Sequence, residues 1–315
     1  MNDNEQTAIK SLERIAIEGI NEQKRARRWN IFFRLLFILI GVLIFMGVVG
    51  GIASQGQRLT TAAEITAVVD VKGVIMDGAE ASLDVVGGAL NDAFEDSRTK
   101  GVVLRINSPG GSAVQSAMIY DEIVRLRAAY PDIPVYAVIE DVGASGGYYI
   151  AAAATDIFAN KSSIVGSIGV RLDSFGVVEA AKKLGIESRQ VTAGKHKAML
   201  DPFRPVAEAE VEHLRTMLAS THQQFIDAVK QGRGDRLTSS DDIFSGLFWA
   251  GLAAKDLGLV DDFKTVKEVA RDLIGAEETV DFIVPKTLLD KLSGQVKISA
   301  RQVLMEMQLS PNLSF

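Results

Sequence analysis

The chain has 315 residues, 47% of them hydrophobic and 23% charged, enough to bury a core as one large domain or two small ones, which excludes wholesale disorder. Its 40 acidic residues against 34 basic ones give a net charge of −6, so the basic excess that non-specific nucleic-acid binding relies on is missing and no nucleic-acid partner is expected. Zero cysteines exclude disulfides, thiolate zinc sites and a cysteine nucleophile, three histidines argue against a histidine-rich metal site, and neither metal nor cofactor is expected.

From Leu35 to Ala53 the chain carries no charge over 19 residues. A helix of about 20 residues spans the hydrocarbon core of a bilayer. A long polar segment precedes this run, unlike the short n-region of a secretory leader, so the run reads as an uncleaved anchor, with cleavage near Ala53 as the alternative. Lys24, Arg25, Arg27, Arg28 and Arg34 lie before it and only Arg58 between it and Glu64. The positive-inside rule then keeps the N-terminus in the cytoplasm and exports everything after about residue 54. Gly47 and Gly51 form one GxxxG, more readily a chance match than a helix-pairing face. The chain divides into a cytoplasmic segment (1–30), an anchor (31–53), a polar linker (54–64), a domain (65–285) and a tail (286–315) of undefined role.

In the domain, ITAVVDVKGVI from Ile65 is a strand-forming run, followed by a helical pattern from about Ser82 to Asp96 and a buried-strand run, Gly101–Asn107. The turn SPGG leads into a helix opened by a capping box, Ser112 with Gln115, and lined by Ile119, Ile123 and Leu126. Val135–Glu140 is the next strand, then a glycine-rich turn and a small-residue helix, YYIAAAAT. Further on come a short strand DIFAN, a turn and strand in SIVGSIGV, a helix from Val177 to Leu184, a strand SRQVT, and a long helix from Val206 to about Gln231 after DPFRP. A short helix ending at Gly258 and another from Val266 to Ile274 complete the domain. Strands alternating with helices predict an α/β fold on a parallel sheet.

The sharpest chemical signal is Gly143-Ala144-Ser145-Gly146-Gly147, between a hydrophobic strand and a helix. A serine there stands at the C-terminal edge of the sheet, beside backbone N–H groups and the positive end of a helix, where an oxyanion is stabilised. The plainer alternative is a glycine turn with Ser145 as an N-cap. Ser108-Pro109-Gly110-Gly111 ends the preceding strand, so an N–H of Gly110 or Gly111 can join that of Gly146 in an oxyanion hole. The string also fits the G-x-S-x-G elbow of α/β-hydrolases, for which His213 and His222 are the base candidates by chain order. Both fall inside the long helix in a charge-rich stretch, which suits a solvated or core-lining histidine better. The other base is a lysine, which needs burial against apolar walls to give up its proton near neutrality. Lys197, beside Ala198, Met199 and Leu200, suits that better than Lys195, although either alone reads as a surface charge.

The strings LRINSPGGS, GASGGYYIA, SSIVGSIGV, GKHK followed by DPFRP, and WAGLAAKDLGLVD closely resemble, in the same order, those of the signal peptide peptidase A family, also called protease IV, from Ile65 to Ile274. The single anchor and single motif set resemble its short form. The resemblance implies the ClpP/crotonase-type fold of repeated ββα units and a serine–lysine dyad of Ser145 and Lys197. It also implies Ser167, otherwise only a turn serine, as the hydroxyl that orients the lysine. It further implies ring- or dome-shaped homo-oligomers in the bacterial cytoplasmic membrane, embedded in its lipid, acting on peptide substrates that are remnant signal peptides. His196 departs from the pattern, where an aromatic is common. A silent scaffold of the same fold, or an esterase using a histidine base, are the competing readings.

Overall fold

The computed structural model describes Arg27, Trp29 and residues 31–42 near the N-terminus, and residues 63–283. These belong to two compact units, Met1–Thr60 and Thr61–Phe315. In the first, residues 31–42 are helical and their apolar side chains, Phe32, Phe37, Ile38 and Leu39 among them, are exposed. Among the described residues no helix is long and apolar enough to cross a membrane. The rest of the predicted anchor, 43–53, lies outside the described residues, as do most of the linker and the tail from 286.

The second unit begins with β1 (Ile65–Lys72), α1 (Leu83–Glu95), β2 (Thr99–Ser108), α2 (Ala113–Ala129), β3 (Val135–Ala144), α3 (Gly146–Ala151), β4 (Asp156–Ala159) and β5 (Ile164–Gly166). It continues with α4 (Val178–Lys183), α5 (Glu208–Arg233), β6 (Phe248–Ala250), α6 (Gly251–Asp256), β7 (Asp262–Phe263), α7 (Val266–Val269), which runs on as a π turn, and β8 (Thr279–Phe282). Strands β1 to β3 are near-continuous apolar runs because both sheet faces are covered, and the sheet order is β6-β5-β3-β2-β1-β8 with β4 beside β3 and β7. Every pairing is parallel except β5 with β6. The α/β reading therefore stands, as a mixed sheet.

The main core lies on one face, where Leu90 and Phe94 of α1 and Ile119, Ile123 and Leu126 of α2 pack on Val69, Leu104, Ile106 and Ile139. Each such side chain contributes about 1.5–3 kcal/mol on burial. The other face has a smaller cluster of Val103, Val138 and Phe158 under Val269. The register decides where chemistry can occur. Ser108 of β2 pairs with Gly143 of β3, and Ala144 of β3 with Gly166 of β5, so the loops leaving all three strands emerge side by side at one edge.

Three local expectations change. The Ser112 hydroxyl accepts from Gln115 N (3.3 Å), but the Gln115 side chain accepts from Leu83 N–H (2.8 Å), so the capping box is half formed because the orphan amide of a neighbouring helix claims the glutamine. SRQVT forms no strand: Val191 is 99% exposed, and among the described residues no neighbour completes a ladder. The alanine helix stops at Ala151, where Ala153 and Ala154 turn back to Ile150 and Ala151 in tight i to i+3 bonds.

The C-terminus of α5 is anchored in the body. Arg233, only 1% exposed at its side chain, donates to both carboxylate oxygens of Asp261 (2.7 and 2.9 Å) and to Gly258 O, while Asp261 also accepts from Ile157 N. Beside it, a Cβ on Gly232 would lie 1.9 Å from Ala152 O, which fixes how closely α5 crosses the end of α3.

Candidate active site

Where β3 hands over to α3, Ser145 takes φ 51° and ψ −122°. Among the described residues, only Ser145, Ser167 and Leu200 are non-glycine residues at positive φ. Such a conformation costs an L-residue about 1–3 kcal/mol and persists only where surrounding bonds over-determine it. Here the Ser145 N–H donates to Gly166 O (2.8 Å) and its carbonyl accepts from Tyr149 N (2.9 Å), which turns the half-buried side chain out of the strand direction at the sheet edge.

The glycines around Ser145 are set by close approach. A Cβ on Gly146 would lie 2.3 Å from Ser116 Oγ, and one on Gly147 would lie 2.8 Å from Ser108 O. Gly110, at φ 96°, has no room either: its Cβ would lie 2.7 Å from both Ser145 Cβ and Gly146 N. The two glycine turns thus meet face to face, with the serine between them. The Gly110 N–H is taken by Ser108 Oγ (3.1 Å). Gly111 is exposed and bridges Ile75, but the bonds of that bridge run from Ile75 N to Gly110 O and from Ser112 N to Ile75 O, so the Gly111 N–H takes no part in them.

Ser167 follows Gly166 as Ser145 follows Ala144, so the paired strand ends carry the two serines to adjacent positions. Ser167 is half-buried and its N–H donates to Leu247 O (2.6 Å). Behind Ser145, Tyr148 is fully buried with its hydroxyl on Leu259 O (2.8 Å), and burial pushes that hydroxyl far above its ordinary pKa, so it is a fixed donor.

Lys197 is built into a different setting. It is exposed, as are Lys195 and His196, in a run of turns between α4 and α5. That turn is tied down by Arg204, which donates to Ala198 O (2.6 Å) and pairs with Glu210 in the first turn of α5; His196 Nδ1 stands 3.9 Å from the same carboxylate. Glu210 is 4% exposed, and its second oxygen has no partner among the described residues. The apolar burial that the sequence pattern anticipates for Lys197 is absent from this chain taken alone, because the segment packs on itself and on α5 and not into the core. His213 is exposed on α5, and His222 Nε2 meets Ile168 O at 3.1 Å. Among the described residues, no hydrogen bond or ion pair joins Lys195, His196, Lys197, His213 or His222 to Ser145.

The structure thus brings together Ser145, Ser167, Gly110, Gly111 and Gly146 and does not join Lys197 to them. The sequence reading passes over Ile75 and Ser116, and names Ser108 only as the start of a glycine turn, with no role of its own. Nothing in the sequence next to Ile75 or Ser116 marks them: they approach the glycine turns only through the fold.

The sequence pattern of Peptidase family S49 matches residues 128–279, a stretch that holds Ser145, Ser167 and Lys197. A chain of Synechocystis sp., provisionally named a protease, is 30% identical over 209 residues that make up 64% of this chain and 74% of that one. This chain belongs to peptidase family S49, the signal peptide peptidase A family. Protease 4 of Haemophilus influenzae is 34% identical over 207 residues, 64% of this chain and 33% of its own. The Na(+)/H(+) antiporter NhaA of Brucella abortus is 42% identical over 224 residues, 70% of this chain but 30% of that protein. The chain therefore spans about a third of the length of these last two relatives. In this S49 chain Ser108, Gly110 and Gly111 lie ahead of the family pattern, yet they form one wall of the serine's surroundings.

Proposed function

We propose that this S49 member is a membrane-anchored serine endopeptidase that hydrolyses remnant signal peptides and other apolar, unfolded segments. The observation that carries the reading is the backbone of Ser145, held at positive φ at the β3–α3 junction between two glycine turns. In the reaction, Ser145 Oγ attacks the peptide carbonyl and its proton passes to Lys197 Nζ. The Gly111 and Gly146 amides hold the oxyanion, and Lys197 returns the proton to the leaving amine. Water then hydrolyses the ester with Lys197 again as base, and Ser167 orients the amine.

The exposed apolar side chains Val74 and Met76, beside Ile75, and Val114 and Met118 on α2 supply a surface beyond the ends of β1 and β2 on which an extended apolar segment can lie. Lys197 meets Ser145 in an assembly, a ring or dome of copies. Support for that lies in its exposure and in the uncovered Leu172, Phe175, Leu184, Ile186 and Val191 of the segment that precedes it in the chain. The uncharged run from Leu35 to Ala53 serves as the anchor in this reading, and its basic flank supports an exported domain.

The test is hydrolysis of a fluorogenic leucine- and alanine-rich peptide by the full-length protein in detergent. Loss in both Ser145→Ala and Lys197→Ala, with activity kept in His213→Gln and His222→Gln, is the expected pattern. Activity that depends on a histidine and not on Lys197 would instead support the esterase reading. Assembled wild type that cleaves no peptide would support a silent scaffold, the reading favoured by the absence of a Lys197–Ser145 contact within one chain.

A further inference from the structure

We propose that Ser108 is a positioning residue for the oxyanion hole, setting through the strap at 73–76 the direction of the Gly111 N–H. The inference rests on the serine-peptidase reading above. Ser108 is fully buried at the end of β2. Its hydroxyl donates to Gly73 O (2.6 Å) and accepts from Gly110 N (3.1 Å), so one side chain joins the strap to the glycine turn. The strap is held at three further points, Gly73 N on Asn107 O (3.0 Å), Ile75 N on Gly110 O (3.0 Å) and Ser112 N on Ile75 O (2.7 Å).

Peptide geometry then does the rest. The Gly110 carbonyl and the Gly111 N–H belong to one planar trans peptide and point in opposite directions. Pinning the carbonyl to Ile75 N aims the Gly111 N–H away from the strap. With the Gly110 N–H consumed by Ser108 and its carbonyl by Ile75, both peptide planes that flank Gly110 are fixed before substrate arrives. Two glycines in a row otherwise leave these planes free to rotate, and a donor that rotates stabilises a developing charge poorly. Position 111 has to be glycine for the turn to come this close to the strap, since a Cβ there would lie 2.1 Å from Ile75 O.

The experiment compares full-length wild type, Ser145→Ala and Ser108→Ala in detergent, measuring kcat and KM on the fluorogenic peptide and the affinity of a peptide boronic acid, whose tetrahedral adduct occupies the oxyanion position. The expected result for Ser108→Ala is a fall in kcat of about 10- to 100-fold with KM within about twofold, and a matching loss in boronate affinity. Unchanged kcat, or kcat and KM moving together with boronate affinity kept, overturns the proposal. Should Ser108→Ala not fold, Ser108→Cys, whose somewhat larger thiol keeps the cavity filled with a weaker donor and acceptor, is read by the same criteria. An active Ser145→Ala would overturn the peptidase reading itself. An inactive Ser145→Ala beside a fully active Ser108→Ala would overturn only the role of Ser108.

Discussion

Ser145 and Lys197 lie 52 positions apart on one chain, yet their surroundings have little in common. Around the serine, three strand ends, two glycine turns and the start of a helix meet at contacts with no space for an added methyl. Around the lysine, turns are held by one arginine and one buried glutamate, and large apolar side chains face solvent. The serine's half of the proposed site is finished by its own fold. The lysine's half lies open to solvent, and Leu200 at positive φ, three residues after Lys197, shows that strain is kept even there.

Activity and stability should therefore separate at the two places. The largest effect is expected for Lys197→Ala, which should lower peptide hydrolysis by about 10³-fold or more while moving stability by less than about 0.5 kcal/mol, since an exposed lysine has little to lose. Thermal unfolding checks the second half. Mixing unfolded and co-refolded Ser145→Ala and Lys197→Ala chains should restore part of the activity if copies share sites, and complete silence would mean that each chain closes its own. Gly110→Ala comes next: its methyl meets Ser145 Cβ and Gly146 N at 2.7 Å and strains a φ of 96°, so hydrolysis should fall by about 10²-fold and the unfolding free energy by about 1–3 kcal/mol. A Gly110→Ala protein as stable as wild type would break the contrast.

The smallest effect on hydrolysis, though not on stability, concerns the body beneath both. Burial opposes ionisation of Asp261, but the Arg233 fork, the Ile157 N–H and the Arg236 charge outweigh it and hold the carboxyl below the usual aspartate range. A lowered value means that the pair's stabilisation is complete above about pH 4 and is lost as pH falls through the folded-state value. Asp261→Asn should cost about 3 kcal/mol at neutral pH, because Arg233 stays buried without its counter-charge, and should flatten the acid limb of a stability profile. Urea unfolding across pH 3 to 7 reads both.

Much of the serine's half was legible because chain-local rules decide it: apolar runs end, glycines follow, and a serine stands where strand becomes helix. That the two glycine turns meet follows from neighbouring parallel strands. The role of Ser167 rests on family likeness alone, since nothing in a turn serine announces it. What stayed hidden depends on partners far along the chain. Gln115 caps α1 and not its own helix, Ser108 spans from Gly73 to Gly110, and SRQVT lacks a strand to pair with, none of which any local pattern encodes. The apolar neighbours of Lys197 suggested burial, but apolar sequence says only that a surface wants covering and not by which chain.

The clasp at Arg233 has a mechanical corollary. Helix α5, with 26 residues, is about 39 Å long, rooted at one end where Gly232 presses on Ala152 and joined at the other, through Glu210 and Arg204, to the turn that carries Lys197. Its core contacts, Phe225, Ala228, Val229 and Arg233, cluster in the last third. It is a cantilever, and a tilt of about 5° at the root shifts the tip by about 3 Å, the difference between a lysine within hydrogen-bond reach of a hydroxyl and one outside it. Substitutions far from any catalytic group, in the packing of that root, thereby gain leverage over where the lysine points.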